Sequence, residues 1–172
     1  MAVTQKPRTE KPLSYGVSYE VTDGVAVVEL RGRANGNALD EHVRSALLRA
    51  ARRLTTDARR EVRAALITGR GRNFCVGQDL KEHAQLLKTS PATAFANIPD
   101  HYNPLVKELH ALPIPLVVAV EGSCVGAGLG LALCADVRVA AEGTRFATAF
   151  GGVGLASDSG VARALARQLG PS

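Results

Sequence analysis

Short hydrophobic runs alternate along this chain with segments in which apolar residues recur at helical spacing. Two β-rich runs, at 19–22 and 25–30, flank Asp23-Gly24, a dipeptide typical of tight hairpin turns. Further short strands are predicted at 64–68, 116–120 and 137–141. Helices are predicted at about 39–54, 79–88, 100–111, 126–135 and 158–169. Because strands alternate with helices after the hairpin, the pattern predicts an α/β fold with mainly parallel strands.

The two ends of the chain differ from this regular pattern. Positions 1–14 are polar and contain proline, and we expect them to form a flexible tail before a core at 15–172. The last predicted helix carries an apolar face of Val161, Leu165 and Leu169, and the sequence then stops at Ser172. We therefore expect this face to lie uncovered, because no later segment can pack against it.

Composition narrows the classes of protein to which the chain can belong. Its 172 residues suit one domain, and a content of 46% hydrophobic and 22% charged residues excludes wholesale disorder. No apolar stretch approaches the roughly 18 residues of a membrane span, and the polar N-terminus lacks a secretion signal, so we expect a cytoplasmic protein. The cysteines Cys75, Cys124 and Cys134 are odd in number and lack Cys-x-x-Cys spacing, which favours buried thiols. The histidines lack metal-site spacing.

An arginine-rich stretch supplies much of the net charge of +5. Between Arg44 and Arg72 the sequence has nine arginines and two acids. Apolar residues recur there at helical spacing, namely Val43, Leu47, Ala50 and Leu54. One interpretation is therefore the solvated face of an amphipathic helix. The alternatives are a rim that attracts a ligand carrying phosphates and a nucleic-acid surface, although no aromatic residue is interleaved to stack bases.

Two glycine-rich segments, 74–79 and 122–127, share one pattern, in which a strand ends, a tight turn follows and a helix begins. Neither matches a phosphate-binding loop, a dinucleotide-binding fingerprint or a serine nucleophile elbow. Backbone N–H groups at helix N-termini carry partial positive charge. Two converging turns of this kind can form an oxyanion hole for a thioester whose carbonyl becomes an enolate. The alternative is a pair of close-packed turns without a chemical role.

Three segments carry a resemblance to a known family. They are Asn37-Ala38-Leu39, the run Phe74-Cys75-Val76-Gly77-Gln78-Asp79-Leu80-Lys81, and the segment 115–136. Together they resemble the signatures of the crotonase, or enoyl-CoA hydratase/isomerase, superfamily. The resemblance implies an α/β fold built as a crotonase-like spiral of ββα units, acyl-CoA thioester substrates, and homo-oligomers that are trimers or hexamers. Members of the family continue beyond the length of this chain, so a C-terminal helical section is expected to be missing.

The resemblance also assigns roles to individual positions. The backbone N–H groups of Gln78 and Ala127 correspond to the two donors of the oxyanion hole. The residues that correspond to the lining of the CoA site are Ala38, Gln78, Asp79, Leu80, Lys81 and Ala127. The loop after Leu30 and nearby arginines would meet the nucleotide end of CoA. Because CoA is part of the substrate, the resemblance implies neither a separate cofactor nor a metal ion.

Two positions depart from the hydratases of the family. Gly130 and Phe150 stand where those enzymes carry their two catalytic glutamates. Hydration needs a base that activates water and an acid that protonates carbon, so the loss of both carboxylates makes hydration doubtful. The segment 146–160 instead resembles the isomerase branch, including members that act on ring-opened or epoxidised phenylacetyl-CoA, which place a single acid at the position of Asp158. The alternative for Asp158 is a helix N-cap.

The sequence therefore favours an enoyl-CoA isomerase over a hydratase, in fatty-acid or aromatic-acid catabolism, with Asp158 as the proton-transferring group. The alternative from another class is a non-catalytic CoA-binding or subunit-interaction remnant of the same family. A third hypothesis, nucleic-acid binding by the arginine-rich helix, predicts steeply salt-dependent binding to DNA. We expect neither a nucleic-acid partner nor a membrane partner.

Overall fold

The computed structural model describes residues 15–33 and 36–170. Its strands are β1 (Gly16–Thr22), β2 (Val25–Arg31), β3 (Ala64–Gly69), β4 (Leu116–Val120), β5 (Ser123–Val125), β6 (Val137–Ala140) and β7 (Arg145–Ala147). Its α-helices are α1 (Glu41–Asp57), α2 (Leu80–Thr89), α3 (Asn103–His110), α4 (Ala127–Leu133) and α5 (Val161–Leu169). The tail predicted at 1–14 lies outside the described residues.

The main sheet has the strand order β1-β2-β3-β4-β6. Strands β1 and β2 form the predicted antiparallel hairpin, and its turn residues Asp23 and Gly24 have φ angles of 51° and 81°, as a type I′ turn requires. The other neighbouring strands in this sheet run parallel. Strands β5 and β7 form a separate parallel pair. The predicted α/β class with mainly parallel strands is therefore confirmed.

The hydrophobic core fills the space between the main sheet and the helices. Alternate residues of the inner strands are fully buried, among them Val28, Ile67 and Val118. Helix α1 buries the predicted apolar positions Val43, Leu47, Ala50 and Leu54. This helix begins after its N-cap Asp40, whose carboxylate accepts a hydrogen bond from the Val43 N–H at 2.9 Å.

One arginine of the arginine-rich stretch is not part of a solvated face. The side chain of Arg44 is 4% exposed, and its guanidinium donates to the Leu39 carbonyl and to the Glu82 carboxylate, both at 2.7 Å. The same carboxylate accepts from the Glu41 N–H at 2.9 Å. Glu82 therefore joins α2 to α1, and its carboxylate does not bond back to the Asp79 N–H as it would in a capping box. The Asp79 N–H donates instead to the Leu39 carbonyl at 3.3 Å.

The expectation of an uncovered face on the last helix is largely wrong. Val161 is 1% exposed and belongs to the core, and Leu165 is half-buried against the core. Leu169 is 80% exposed. Helix α5 packs against α4, which covers most of the predicted face. Among the described residues, no helix has both the length and the apolar character needed to cross a membrane.

Candidate active site

The two glycine-rich turns follow strand segments that are hydrogen-bonded to each other. The Cys75 N–H donates to the Ser123 carbonyl at 3.1 Å, and the Val125 N–H donates to the Cys75 carbonyl at 2.9 Å. The Phe74 N–H donates to the Glu121 carbonyl at 2.8 Å. Because these segments run parallel, both turns emerge at the same end of the pair.

Gly77 brings the first turn into contact with the second. Its φ angle of +85° lies in the region that glycine adopts readily. A Cβ atom at this position would lie 2.8 Å from the Val125 carbonyl oxygen and 3.4 Å from the Ala127 nitrogen. A larger residue would therefore push the two turns apart.

Gln78 supplies the first of two unbonded N–H groups. The Leu39 N–H donates to the Gly77 carbonyl at 2.8 Å, and the Asp79 N–H donates back to the Leu39 carbonyl. In a parallel ladder this pattern directs the intervening Gln78 N–H to the opposite edge of its segment, which is the edge where α4 begins. Within the described residues, the Gln78 N–H has no hydrogen-bond partner.

Ala127 supplies the second unbonded N–H group. It is the first residue of α4, and the helix starts after Gly126, whose φ and ψ are 55° and −121°. The Gly130 N–H makes an early bond of this helix, to the Gly126 carbonyl at 3.1 Å. No acceptor for the Ala127 N–H is found in the part of the chain that the structure describes. Two free donors at contacting turns are what an oxyanion hole requires.

Asn37 fixes the neighbouring loop to the strand that carries the first turn. Its side chain is 2% exposed and its φ angle is +58°. The amide nitrogen donates to the carbonyls of Arg70, Asn73 and Phe74 at 3.0, 2.8 and 3.2 Å, and the amide oxygen accepts from the Gly32 N–H at 2.9 Å. This structural role of Asn37 is not visible in the sequence pattern.

The other residues predicted to line the CoA site lie around the first turn. Ala38 is half-buried. It lies beside the turn because its neighbour Leu39 forms hydrogen bonds with Gly77 and Asp79, the residues on either side of Gln78. Asp79 caps α2, and its carboxylate accepts from two N–H groups of the first helical turn at 2.9 and 3.0 Å. Leu80 is 54% exposed and Lys81 is exposed, so both side chains are accessible.

Asp158 lies in a tight turn before α5 and is not an N-cap. Ser159 and Gly160 have φ angles of 50° and 73°, and the Val161 N–H closes the turn by donating to the Asp158 carbonyl at 3.0 Å. The N-cap of α5 is Gly160, without a side-chain cap. The half-buried Asp158 carboxylate accepts instead from the Ser159 hydroxyl at 2.8 Å. The N-cap alternative, and the helix start predicted at 158, are therefore wrong.

The turn that carries Asp158 packs against the helix that begins with Ala127. A Cβ atom at Gly130 would lie 2.8 Å from the Ser159 Cβ and 3.0 Å from the Ser159 carbonyl oxygen. Gly130 follows Ala127 by three residues, and residues at this spacing lie on the same side of a helix. Helix α4 therefore links the second donor to the turn that bears the carboxylate.

A buried phenol that the sequence pattern does not reveal lies near these groups. Tyr102 is 2% exposed, and its hydroxyl has no hydrogen-bond partner among the described residues. Burial raises the pKa of this phenol, the nearby Arg44 guanidinium lowers it, and Cys75 and Asp158 raise it further.

The three cysteines are buried, as predicted from their number and spacing. Burial raises the pKa of the Cys75, Cys124 and Cys134 thiols to about 12. At neutral pH these thiols are protonated, and they are not nucleophiles of the candidate site.

A groove of about 710 Å³ lies between α3 and α5, with Gly160 at its edge. Neither the two donor residues nor Asp158 lines it. The groove is therefore not part of the candidate active site.

The chain is similar to known proteins over most of its length. The sequence model of the enoyl-CoA hydratase/isomerase family matches residues 20–172. A probable enoyl-CoA hydratase of Rhodobacter capsulatus is 38% identical over 154 residues, which is 90% of this chain and 57% of that protein. The 1,2-epoxyphenylacetyl-CoA isomerase of Escherichia coli is 35% identical over 151 residues, which is 87% of this chain and 56% of that protein.

The fold is likewise similar to solved structures. A crystal structure from Mycobacterium abscessus, described as an enoyl-CoA hydratase/isomerase, matches with a TM-score of 0.85 and 46% identity, over 90% of this chain and 59% of that chain. This likeness confirms the predicted crotonase-like α/β fold. The chain spans a little over half the length of the relatives that it matches. From the match at 20–172 and these similarities, we conclude that the chain belongs to the enoyl-CoA hydratase/isomerase family.

Proposed function

We propose that the chain carries the proton-transfer site of an enoyl-CoA isomerase, which converts a 3-enoyl thioester into the conjugated 2-enoyl thioester. The observation that supports it best is the arrangement along α4. This helix presents a free N–H group at Ala127 and has no side chain at Gly130, against which the Asp158 turn packs. A carboxylate is thus available near the donors, although neither hydratase glutamate is present.

In the proposed reaction, Asp158 takes a proton from the acyl carbon beside the thioester. The electron pair moves onto the thioester oxygen, and the N–H groups of Gln78 and Ala127 stabilise the resulting enolate. Asp158 then returns the proton to the far carbon of the three-carbon unit, and the double bond becomes conjugated with the carbonyl. One carboxylate suffices, because one proton is removed and returned.

The preference for isomerisation rests on residues and not on percentages of identity. Relatives named as a hydratase and as an isomerase are similar to this chain at 38% and 35% identity, too close to separate the two activities. Gly130 and Phe150, at the two positions of the hydratase acids, favour isomerisation because activation of water requires a base.

The residues around the first turn would bind the CoA part of the substrate. Ala38 and the residues Gln78, Asp79, Leu80 and Lys81 would line the CoA moiety, and the exposed Lys81 ammonium could pair with a phosphate. Membership of the family supports an acyl-CoA thioester as the substrate and assembly into trimers or hexamers. It also supports a cytoplasmic location and a role in fatty-acid or aromatic-acid catabolism.

The test is an assay of the 172-residue chain with 3-hexenoyl-CoA and with crotonyl-CoA. We expect the absorbance of the conjugated thioester to rise with the first substrate and to fall only slowly with the second. Rapid hydration of crotonyl-CoA would contradict the preference for isomerisation. Binding of both thioesters without conversion of either would contradict the enzyme and support the non-catalytic CoA-binding alternative.

A further inference from the structure

We propose that the Ser159 hydroxyl positions the Asp158 carboxylate for proton transfer, and that the absence of a side chain at Gly130 makes this arrangement possible. This inference rests on the proposed isomerase function and deepens it, because it identifies the groups that fix the geometry of the acid. Ser159 is thereby a positioning residue, since it acts through Asp158.

The backbone of Ser159 is held in an unusual conformation. Its φ angle is +50°, a region that non-glycine residues rarely occupy, and the residue is only 6% exposed. Such strain persists where the surrounding structure holds it, and it is frequent at functional sites. Here the bond from the Val161 N–H to the Asp158 carbonyl, at 3.0 Å, closes the turn around it.

The hydroxyl of Ser159 engages one oxygen of the neighbouring carboxylate and leaves the other free. Ser159 Oγ donates to Asp158 Oδ1 at 2.8 Å. Within the described residues, Asp158 Oδ2 has no hydrogen-bond partner. A hydrogen bond to an ionised carboxylate is stronger than one between neutral groups, and it restricts side-chain rotation. Oδ2 is therefore the atom that accepts the proton of the substrate.

Gly130 sets how closely this turn approaches α4. A Cβ atom at position 130 would lie 2.8 Å from the Ser159 Cβ, 3.0 Å from its carbonyl oxygen and 3.2 Å from the Val161 Cγ2. All three atoms belong to the Asp158 turn or to the residue after it. A side chain at 130 and the present position of the Asp158 turn therefore exclude each other. A glutamate at 130 would displace the existing acid instead of adding a second one.

The first test compares Ser159→Ala with Ser157→Ala, which makes the same change at an exposed serine on the other side of Asp158. Alanine at 159 keeps the Cβ atom and removes only the hydroxyl. We expect kcat for 3-hexenoyl-CoA to fall about tenfold or more with little change in KM. Ser157→Ala should change neither.

The second test compares Gly130→Ala with Gly152→Ala. Gly130 lies inside a helix, where alanine normally stabilises, so the steric argument predicts the opposite sign from helix propensity. We expect Tm to fall by about 2–4 °C or more for Gly130→Ala. Gly152 has open space around its Cα, so its alanine variant should keep the Tm of the unchanged protein. An unchanged or higher Tm for Gly130→Ala would overturn the steric part of the inference.

A crystal structure of Ser159→Ala separates the inference from the proposed function. We expect the Asp158 carboxylate to leave its present position or to become mobile, while the turn keeps its bond from the Val161 N–H. A carboxylate that stays in place would overturn the inference, whether or not the protein is active. Absence of isomerisation by the unchanged protein would overturn the proposed function, and the carboxylate position would still decide the role of Ser159.

Discussion

Replacing Ala127 by proline removes one proposed oxyanion donor and changes little else. Ala127 is the first residue of α4, a position where proline is tolerated because its nitrogen needs no helical bond. Its N–H has no partner within the described residues, so no internal hydrogen bond is lost. The preceding residue, Gly126, has no Cβ atom to clash with the proline ring. The free energy of unfolding should therefore change by less than about 1 kcal/mol.

The effect on catalysis should be much larger. Loss of one oxyanion donor typically lowers kcat by about 10²–10³, which corresponds to roughly 2.7–4 kcal/mol of transition-state stabilisation. The assay follows formation of the conjugated thioester from 3-hexenoyl-CoA, and thermal unfolding checks that the variant is folded. Ala127→Gly is the matched control, because it keeps the N–H group and should retain kcat within a few-fold. A folded Ala127→Pro variant with the full rate would refute the assignment of this donor.

Two further predictions concern stability. Asn37→Ala should lower the free energy of unfolding by about 3–5 kcal/mol, because three carbonyls and one N–H lose their hydrogen-bond partner in a buried setting. Urea unfolding measures this loss, and a value below about 1 kcal/mol would contradict the structural role of Asn37. The folded protein should also lose stability at alkaline pH, because burial raises the thiol pKa of Cys75 from 9.0 to about 12. The folded state holds that proton more tightly than the unfolded state, so this stabilisation is complete below about pH 9 and is lost towards pH 12. Urea unfolding near neutral pH and near pH 11 checks it, and Cys75→Ala should weaken the dependence.

Local signals in the sequence were sufficient for the regular elements. Asp23-Gly24 predicts the hairpin because its backbone angles suit a type I′ turn, and the observed angles agree. The apolar spacing of α1 predicts its buried side because residues three and four apart share a face. The parallel sheet follows from the alternation of strands and helices.

Elements that depend on distant contacts were not predictable from the sequence pattern. Strands β5 and β7 have three residues each, too few to show an alternating period. Arg44 occurs among solvated arginines in the sequence, and only the fold brings Glu82 to it. The sequence pattern predicts that Val161 is uncovered, whereas the packing of α5 on α4 buries it.

In the candidate site, too, some features follow from the sequence and others only from the fold. The sequence pattern identified the two glycine-rich turns, and the family resemblance assigned their donors. The contact between the turns depends on Gly77 and on distances that sequence spacing does not encode. For Asp158 the sequence left two alternatives, and the positive φ angles of the two following residues decide against the N-cap. The approach of Ser159 to Gly130 joins residues 29 positions apart, so no local pattern could reveal it.

The central claim, that one carboxylate transfers the proton, is tested most directly by Asp158→Asn. Asparagine keeps the size of the side chain and an oxygen that can accept from the Ser159 hydroxyl, so the turn and the Tm should be retained. Asp100→Asn, at an exposed acid in another segment, is the matched control. Conversion of 3-hexenoyl-CoA should fall by about 10²–10⁴ in Asp158→Asn and should be unchanged in Asp100→Asn. Equal conversion by Asp158→Asn and the unchanged protein would contradict the claim.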